Sequence, residues 1–157
     1  MADLAIIIPA YKDTFLDETI CSISAQTCKD FTLYIGDDCS PYNIEKIVEA
    51  YKDKINIVYK RFEINYGKDN LVAQWERCIS MSKEEKWIWL FSDDDVMEPN
   101  CVEAFYDEIK KQHMILPFNV IVIDDKSHLK YIPATYPKVI SSYEFIRKNE
   151  RENNESC

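Results

Sequence analysis

Short apolar runs and longer stretches of helical spacing alternate along this chain. Leu4 to Ile8 is unbroken and ends at Pro9, the pattern of a central parallel strand covered on both faces. Phe31–Ile35, Ile55–Tyr59 and Trp87–Phe91 are further runs rich in β-branched and aromatic residues. Between them, spacing near 3.6 predicts helices. The first covers 15–26, led by Thr14 and Asp17 in the manner of a capping box. The second covers 44–51 behind Asn43, with Ile44, Ile47, Val48 and Tyr51 on one face. The third covers 69–81, carrying Leu71, Trp75, Cys78 and Ile79, and the fourth runs from near Pro99 to Gln112. The order β-α-β-α-β-α-β-α predicts an α/β domain with a mainly parallel sheet over residues 1–118. Beyond it, 119–123 and 129–132 read as a hairpin joined at Asp124–Ser127, and Ser141 or Ser142 opens a short helix to Arg147. Residues 119–148 thus form a second region, and the polar stretch 149–157 is expected to be disordered.

Two strands finish in acid. Asp93, Asp94 and Asp95 follow the Trp87–Phe91 run, and Asp37 and Asp38 follow Phe31–Ile35 and Gly36. Like charges ~4 Å apart cost roughly 4 kcal/mol at an effective dielectric of about 20. Water can screen such a cluster, protons can be taken up, or a divalent cation can sit among the oxygens. In open α/β sheets ligands bind beyond the carboxyl ends of the strands, so both acid groups are expected to face one pocket.

Charge and composition narrow the partners. A net charge of −9 with no cluster of Lys or Arg excludes a nucleic-acid surface. Acid at the strand ends would also repel a phosphate ligand unless a cation bridged the two. Leu4–Ile8 is far too short for a signal sequence or a membrane span, so a cytoplasmic protein is expected, with a membrane-peripheral setting compatible for its full-length form. The six cysteines include no CxxC pair and read as small apolar fillers in a reducing compartment. His113 and His128 are isolated. The chain has only two glycines, so Gly67 is expected where φ is positive or another group approaches the backbone closely.

Five motifs in order carry a resemblance: Ile6-Ile-Ile-Pro-Ala-Tyr11; Ser22-Ile-Ser-Ala-Gln-Thr27 with Lys29-Asp-Phe31; Gly36-Asp-Asp-Cys-Ser40; Asn65-Tyr-Gly67; and Trp87-Ile-Trp-Leu-Phe-Ser-Asp-Asp-Asp95 with Pro99 behind it. Over about residues 4–112 the chain resembles the nucleotide-binding half of family 2 glycosyltransferases. The resemblance implies the GT-A fold, a Rossmann-like three-layer α/β/α domain. It further implies Pro9, Ala10 and Tyr11 against the nucleotide base, where a tyrosine ring can stack. Asp38 would accept hydrogen bonds from the edge of uracil or another base, with Asp37 supporting the turn and Asp93 near the ribose. Asp94, with Asp95, would hold Mg²⁺ or Mn²⁺ as a DxD-type motif, and Lys68 would meet a phosphate or stay solvated.

The reaction implied is metal-dependent transfer of a sugar, with inversion, from a nucleoside-diphosphate donor such as a UDP-sugar to a glycan or lipid-linked acceptor, as in polysaccharide biosynthesis. Where the family commonly has Asn after the tyrosine and Asp at the head of the acid motif, this chain has Lys12 and Ser92, which leaves open which acid comes first. Gln74 and Trp75 stand where an Arg-Asn pair is frequent. The catalytic base is expected beyond the C-terminus, since Asp124 and Asp125 read as a hairpin turn, and the chain is expected to hold the donor half alone. A non-catalytic nucleotide- and cation-binding module is the alternative. A phosphotransfer domain is disfavoured, because the first strand ends in Pro9-Ala10-Tyr11 rather than acid.

Overall fold

The computed structural model describes residues 2–111, 116 and 118–133. Two compact units divide at residue 112. The first holds β1 (Leu4–Ala10), α1 (Leu16–Ser24), β2 (Thr32–Asp37), α2 (Ile44–Glu49), β3 (Ile57–Arg61), α3 (Leu71–Ile79), β4 (Trp87–Leu90) and α4 (Cys101–Ile109). The four strands form one parallel sheet in the order β3-β2-β1-β4. The chain winds outward from β1 to β3, then crosses to the other side of β1 for β4. The order therefore reverses between β1 and β4, which is the switch point where such sheets bind ligands.

Burial explains why β1 and β2 are so apolar. Leu4, Ile6, Ile7, Ile8, Leu33 and Ile35 are all buried, as central parallel strands covered on both faces require. Ala5, Ile7 and Tyr34 point to the face closed by α3, where Cys78 packs on them. The alternate positions point to the opposite face. There Trp87, level with Leu4, meets Phe105 of α4 edge-on at 5.7 Å. The Gln26 side chain, just past α1, donates to Glu98 O at 2.7 Å and accepts from Val102 N at 3.0 Å, tying α1 to the start of α4. The result is an α/β three-layer arrangement, as expected. Among the described residues no helix is long and apolar enough to cross a membrane.

The element boundaries differ from expectation in instructive places. β1 continues through Pro9 to Ala10. From Ile8 onward only β2 flanks it, so the missing proline N–H leaves no ladder with β4 unfilled. The capping box at Thr14 and Asp17 does not form: Phe15 is the N-cap without a side-chain bond, and Asp17 accepts the Tyr51 O–H at 2.9 Å instead. Asn43 caps α2 as expected, and Asn70 caps α3 by accepting from Ala73 N at 3.0 Å. β3 lies at 57–61 rather than 55–59, a shift that brings Arg61 level with Asp37 of β2. Gly36 leaves room for the helix above it, since a Cβ there would run into Cys78 Sγ and reach Phe62 Cε2 at 3.0 Å.

In the second unit β5 (Val122–Ile123) and β6 (Leu129–Tyr131) pair antiparallel, so the expected hairpin is present in shortened form. Asp124 shapes its turn, accepting from Lys126 N and His128 N at 2.9 Å each. His128 is therefore not isolated, because its Nδ1 lies 3.4 Å from Asp124 Oδ2. His113, the expected helix at 141–147 and the polar stretch 149–157 lie outside the described residues.

Two predictions follow from the packing. Gly36→Ala overpacks the α3 contact and should cost about 1–3 kcal/mol in denaturant unfolding. The second concerns alkaline pH. Burial, then the bond to Glu85, pushes the Tyr34 phenol up to about 12, and burial pushes Tyr106 and the Cys78 thiol to about 12. Burial and bonds to Asp17 and Asp37 likewise raise Tyr51 and Tyr59. Raised folded-state values mean that stability is intact below the ordinary thiol value of 9.0 and is lost, first through Cys78 and above 10.0 through the phenols, as pH climbs toward 12. Circular dichroism should record unfolding in that window, coincident with tyrosinate absorbance. Ionisation of all ten tyrosines near 10 in a still-folded chain would contradict it.

Candidate functional site

A cleft of about 660 Å³ opens at the carboxyl ends of β1, β2 and β4. Three segments build one side of it: Pro9–Lys12 at the end of β1 and just beyond, Asp38 after β2, and Ser92, Asp93 and Asp95 after β4. Asn65, Gly67 and Lys68 contribute from the loop before α3, and Leu71, Gln74 and Trp75 from α3 itself. Both acid groups therefore reach one cavity, through Asp38 on one side and Asp93 and Asp95 on the other.

The two acids of β2 have opposite surroundings. Asp37 is the last residue of the strand, fully buried, and does not line the cleft. Its Oδ1 accepts from Ser40 N at 2.8 Å, and its Oδ2 accepts from the Tyr59 O–H at 2.7 Å and Arg61 Nη1 at 2.8 Å. It thus holds the turn after β2. Ser40 in turn donates to Tyr11 O, fixing the loop after β1, where Tyr11 is 40% exposed. Cys39, between Asp38 and Ser40, sits at φ 55°, a left-handed conformation costly for a residue other than glycine.

Asp38 is 3% exposed and faces the cleft. Its Oδ1 accepts from Tyr66 N at 2.7 Å and from the Arg77 guanidinium, and its Oδ2 accepts from Gly67 N at 2.7 Å. A Cβ on Gly67 would lie 2.6 Å from that Oδ2. Close approach, with φ negative, is therefore the reason for glycine here. Arg77 also donates to Ile64 O at 2.8 Å and is stacked by Phe62 and Tyr66, with ring centroids at 3.9 and 4.2 Å. A carboxylate offers about four acceptor positions. Three are taken here among the described residues, leaving one on Oδ2.

The triple acid divides its tasks as well. Asp93 Oδ2 accepts from Tyr11 N at 3.0 Å and Lys12 N at 3.2 Å, clasping the loop after β1 to the end of β4. Asp94 is exposed and accepts from Ser92 Oγ, while Asp95 is exposed and lines the cleft. Burial, then the charges of Asp94 and Asp93, push the Asp95 carboxyl above the usual carboxylate range. The lesser part of that shift, from the neighbouring charges, is what a cation would relieve. Their hard oxygen donors suit Mg²⁺ or Mn²⁺. Among the described residues no three His, Cys, Asp or Glu side chains converge as a complete cage. An ion would thus need ligands from a bound ligand and water, as Mg²⁺ commonly does.

Sequence patterns alone did not single out Arg61 and Arg77. The signal was present: the chain has four arginines, and these two are the ones before residue 147, in a stretch with two acids at a strand tip that would need cations once buried. Helical spacing places Trp75 on one face of α3, and the structure puts it in the cleft lining.

The family model for glycosyl transferase family 2 matches residues 5–156. An uncharacterized glycosyltransferase of Rickettsia typhi is 31% identical over 137 residues, covering 82% of this chain and 39% of the relative. The poly(ribitol-phosphate) beta-N-acetylglucosaminyltransferase TarS of Staphylococcus aureus is 28% identical over 115 residues, covering 69% of this chain and 19% of that protein. The chain therefore spans well under half the length of these relatives. Among solved structures, TarS 1–349 in complex with UDP matches at a TM-score of 0.63 and 24% identity, covering 72% of this chain and 33% of that one. TarS 1–349 in complex with UDP-GlcNAc matches at 0.64 and 22%. At these identities the structural likeness speaks for the fold, a GT-A fold. The family match over nearly the whole chain, together with the Rickettsia relative, establishes that this chain belongs to glycosyl transferase family 2.

Proposed function

We propose that the cleft binds a nucleoside-diphosphate sugar, a UDP-sugar foremost, and that the chain is the donor half of an inverting, cation-dependent glycosyltransferase. The observation that carries this reading is the convergence of Asp38 with Asp93 and Asp95 on one cavity at the switch point of the sheet. Similarity to a protein solved with UDP and with UDP-GlcNAc supports the donor class.

Each residue then has a task that its chemistry suits. The remaining acceptor position of Asp38 takes an N–H from the base edge, which a uracil ring offers, while Pro9, Ala10 and Tyr11 lie against the base. Asp37 serves indirectly, by holding the turn that aims Asp38. Asp93 presents its unclasped oxygen toward the ribose. Asp94 and Asp95 would hold the cation, which supplies Lewis-acid neutralisation of the leaving diphosphate. Lys68 and the cation share the charge of the phosphates. The glycan or lipid-linked acceptor would donate its hydroxyl proton to a general base. Asp124 is a poor candidate for that base, since its carboxylate is spent on the hairpin turn.

Thermal melting with nucleoside diphosphates, with and without Mn²⁺, tests the reading. UDP at about 100-fold above its dissociation constant should raise the melting temperature by on the order of 5 °C or more. The Mn²⁺-dependent part of that rise should vanish in Asp94→Ala. Equal stabilisation of both proteins would remove Asp94 from the site. Binding with no sugar transfer or donor hydrolysis by the full-length protein would favour the non-catalytic module.

Gly67→Ala provides a second check at the base end. Its Cβ displaces the Asp38 carboxylate, so UDP affinity in calorimetry should fall about tenfold, a typical loss for one charge-assisted hydrogen bond. The response to Mn²⁺ should be retained. Unchanged affinity would exclude Asp38 as the group that reads the base.

A further inference from the structure

One wall of the cleft is apolar and has no part in the contacts described so far. Trp75 of α3 is 37% exposed, Leu71 one turn before it 51%, and Leu90 at the end of β4 38%. A single exposed apolar side chain is ordinary. Three in one wall of a concavity, beside a buried carboxylate with one open acceptor position, describe a ligand that is flat and apolar on its face and carries an N–H at its edge. A lipid chain would leave the open acceptor of Asp38 unused. A sugar ring lying on the indole would leave uridine, which carries no donor sugar, without that contact.

α3 fixes where the indole stands. Gln74, the preceding residue, is buried, donating to Gly36 O and Cys78 Sγ at 3.2 Å each. Arg77, two residues later, is held by Asp38. The helix turn that carries Trp75 is thus anchored on both sides of it to the same β2 tip that carries the base-reading acid. This gives an aromatic side chain in the cleft lining, on a helix held to Asp38, and aromatic faces bind bases by stacking without needing a particular sequence of hydrogen bonds.

We infer that Trp75 stacks on the nucleotide base, as a second aromatic contact beside Tyr11, with Asp38 taking the N–H at the ring edge. This rests on the nucleotide reading of the cleft. It makes the base, rather than the diphosphate, the part of the donor that Trp75 recognises.

Uridine, UMP and UDP titrations separate the two ideas. Uridine should quench the tryptophan emission of the unaltered protein, with Trp87 and Trp89 as constant background. In Trp75→Phe that quench should disappear. In Trp75→Ala calorimetry should show all three ligands weakened by the same factor, about tenfold, as loss of one base stack predicts. Trp75→Tyr should recover most of the affinity. Uridine binding seen by calorimetry with emission unchanged would overturn the inference using the unaltered protein alone, whatever the variants do. Undiminished affinity in a folded Trp75→Ala protein, or a loss confined to UDP, would overturn it as well. An unaltered protein that binds none of the three would remove the nucleotide reading itself and this inference with it.

Discussion

Two adjacent carboxylates at the tip of a central strand are buried, and each stays there because an arginine reaches it. Asp37 is met by Arg61 from the neighbouring strand and Asp38 by Arg77 from the helix above. Stripping a buried carboxylate of a buried partner, as with Asp38 and Arg77, typically costs about 3–5 kcal/mol, a large share of the stability of a small domain. The pairing therefore fixes local structure. β3 must bring Arg61 level with Asp37, and α3 must lie over β2 closely enough for Arg77 to reach across. The close fit of Gly36 against Cys78 and Phe62 is the steric counterpart of that second demand.

The pairing also divides labour between neighbours in sequence. Successive residues of a strand point to opposite faces, so one acid turns toward Tyr59 and Arg61 while the next looks into the cleft. Asp37, out of the cleft, spends three acceptor positions on holding the turn, and that turn aims Asp38 and, through Ser40, the loop carrying Tyr11. Asp38 spends three of its acceptor positions on the loop at Tyr66 and Gly67 and on Arg77. A base that binds there meets a site already folded around one open position, and pre-organisation of that kind reduces the ordering cost of binding.

Much of this was legible in the residues. The central strands follow from Leu4–Ile8 and Phe31–Ile35, because runs with no polar interruption can only lie where both faces are covered. The convergence of the acids follows from their place at strand ends. The extent of the strands was less visible. Pro9 looked like a stop because proline lacks a donor, but at that level β1 has lost its β4 neighbour and the donor is not needed. The Thr14 and Asp17 cap was plausible locally and was overridden by Tyr51, a partner 34 residues away from Asp17. Arg61 and Arg77 escaped for the same reason. Pattern reading weighs neighbours along the chain, and the demand of a buried charge is met by whatever the fold brings near it.

The acids after β4 complete the electrostatic logic by a different route. No arginine reaches them in the described structure, and they lie at the surface, where water carries part of the repulsion. Asp93 lowers its own cost by taking two backbone N–H groups, which also locks the loop after β1 onto the end of β4. Asp94 and Asp95 remain without a cationic partner among the described residues, and desolvation, then the charges of Asp94 and Asp93, raise the Asp95 carboxyl. In a chain of net charge −9 such a pair opposes a diphosphate, so any phosphate ligand must arrive with positive charge or find it there. Arg61 and Arg77 cannot serve, being committed to β2. A hard divalent ion is the partner such oxygens suit, and of the buried pair at β2 only Asp38 faces the cleft.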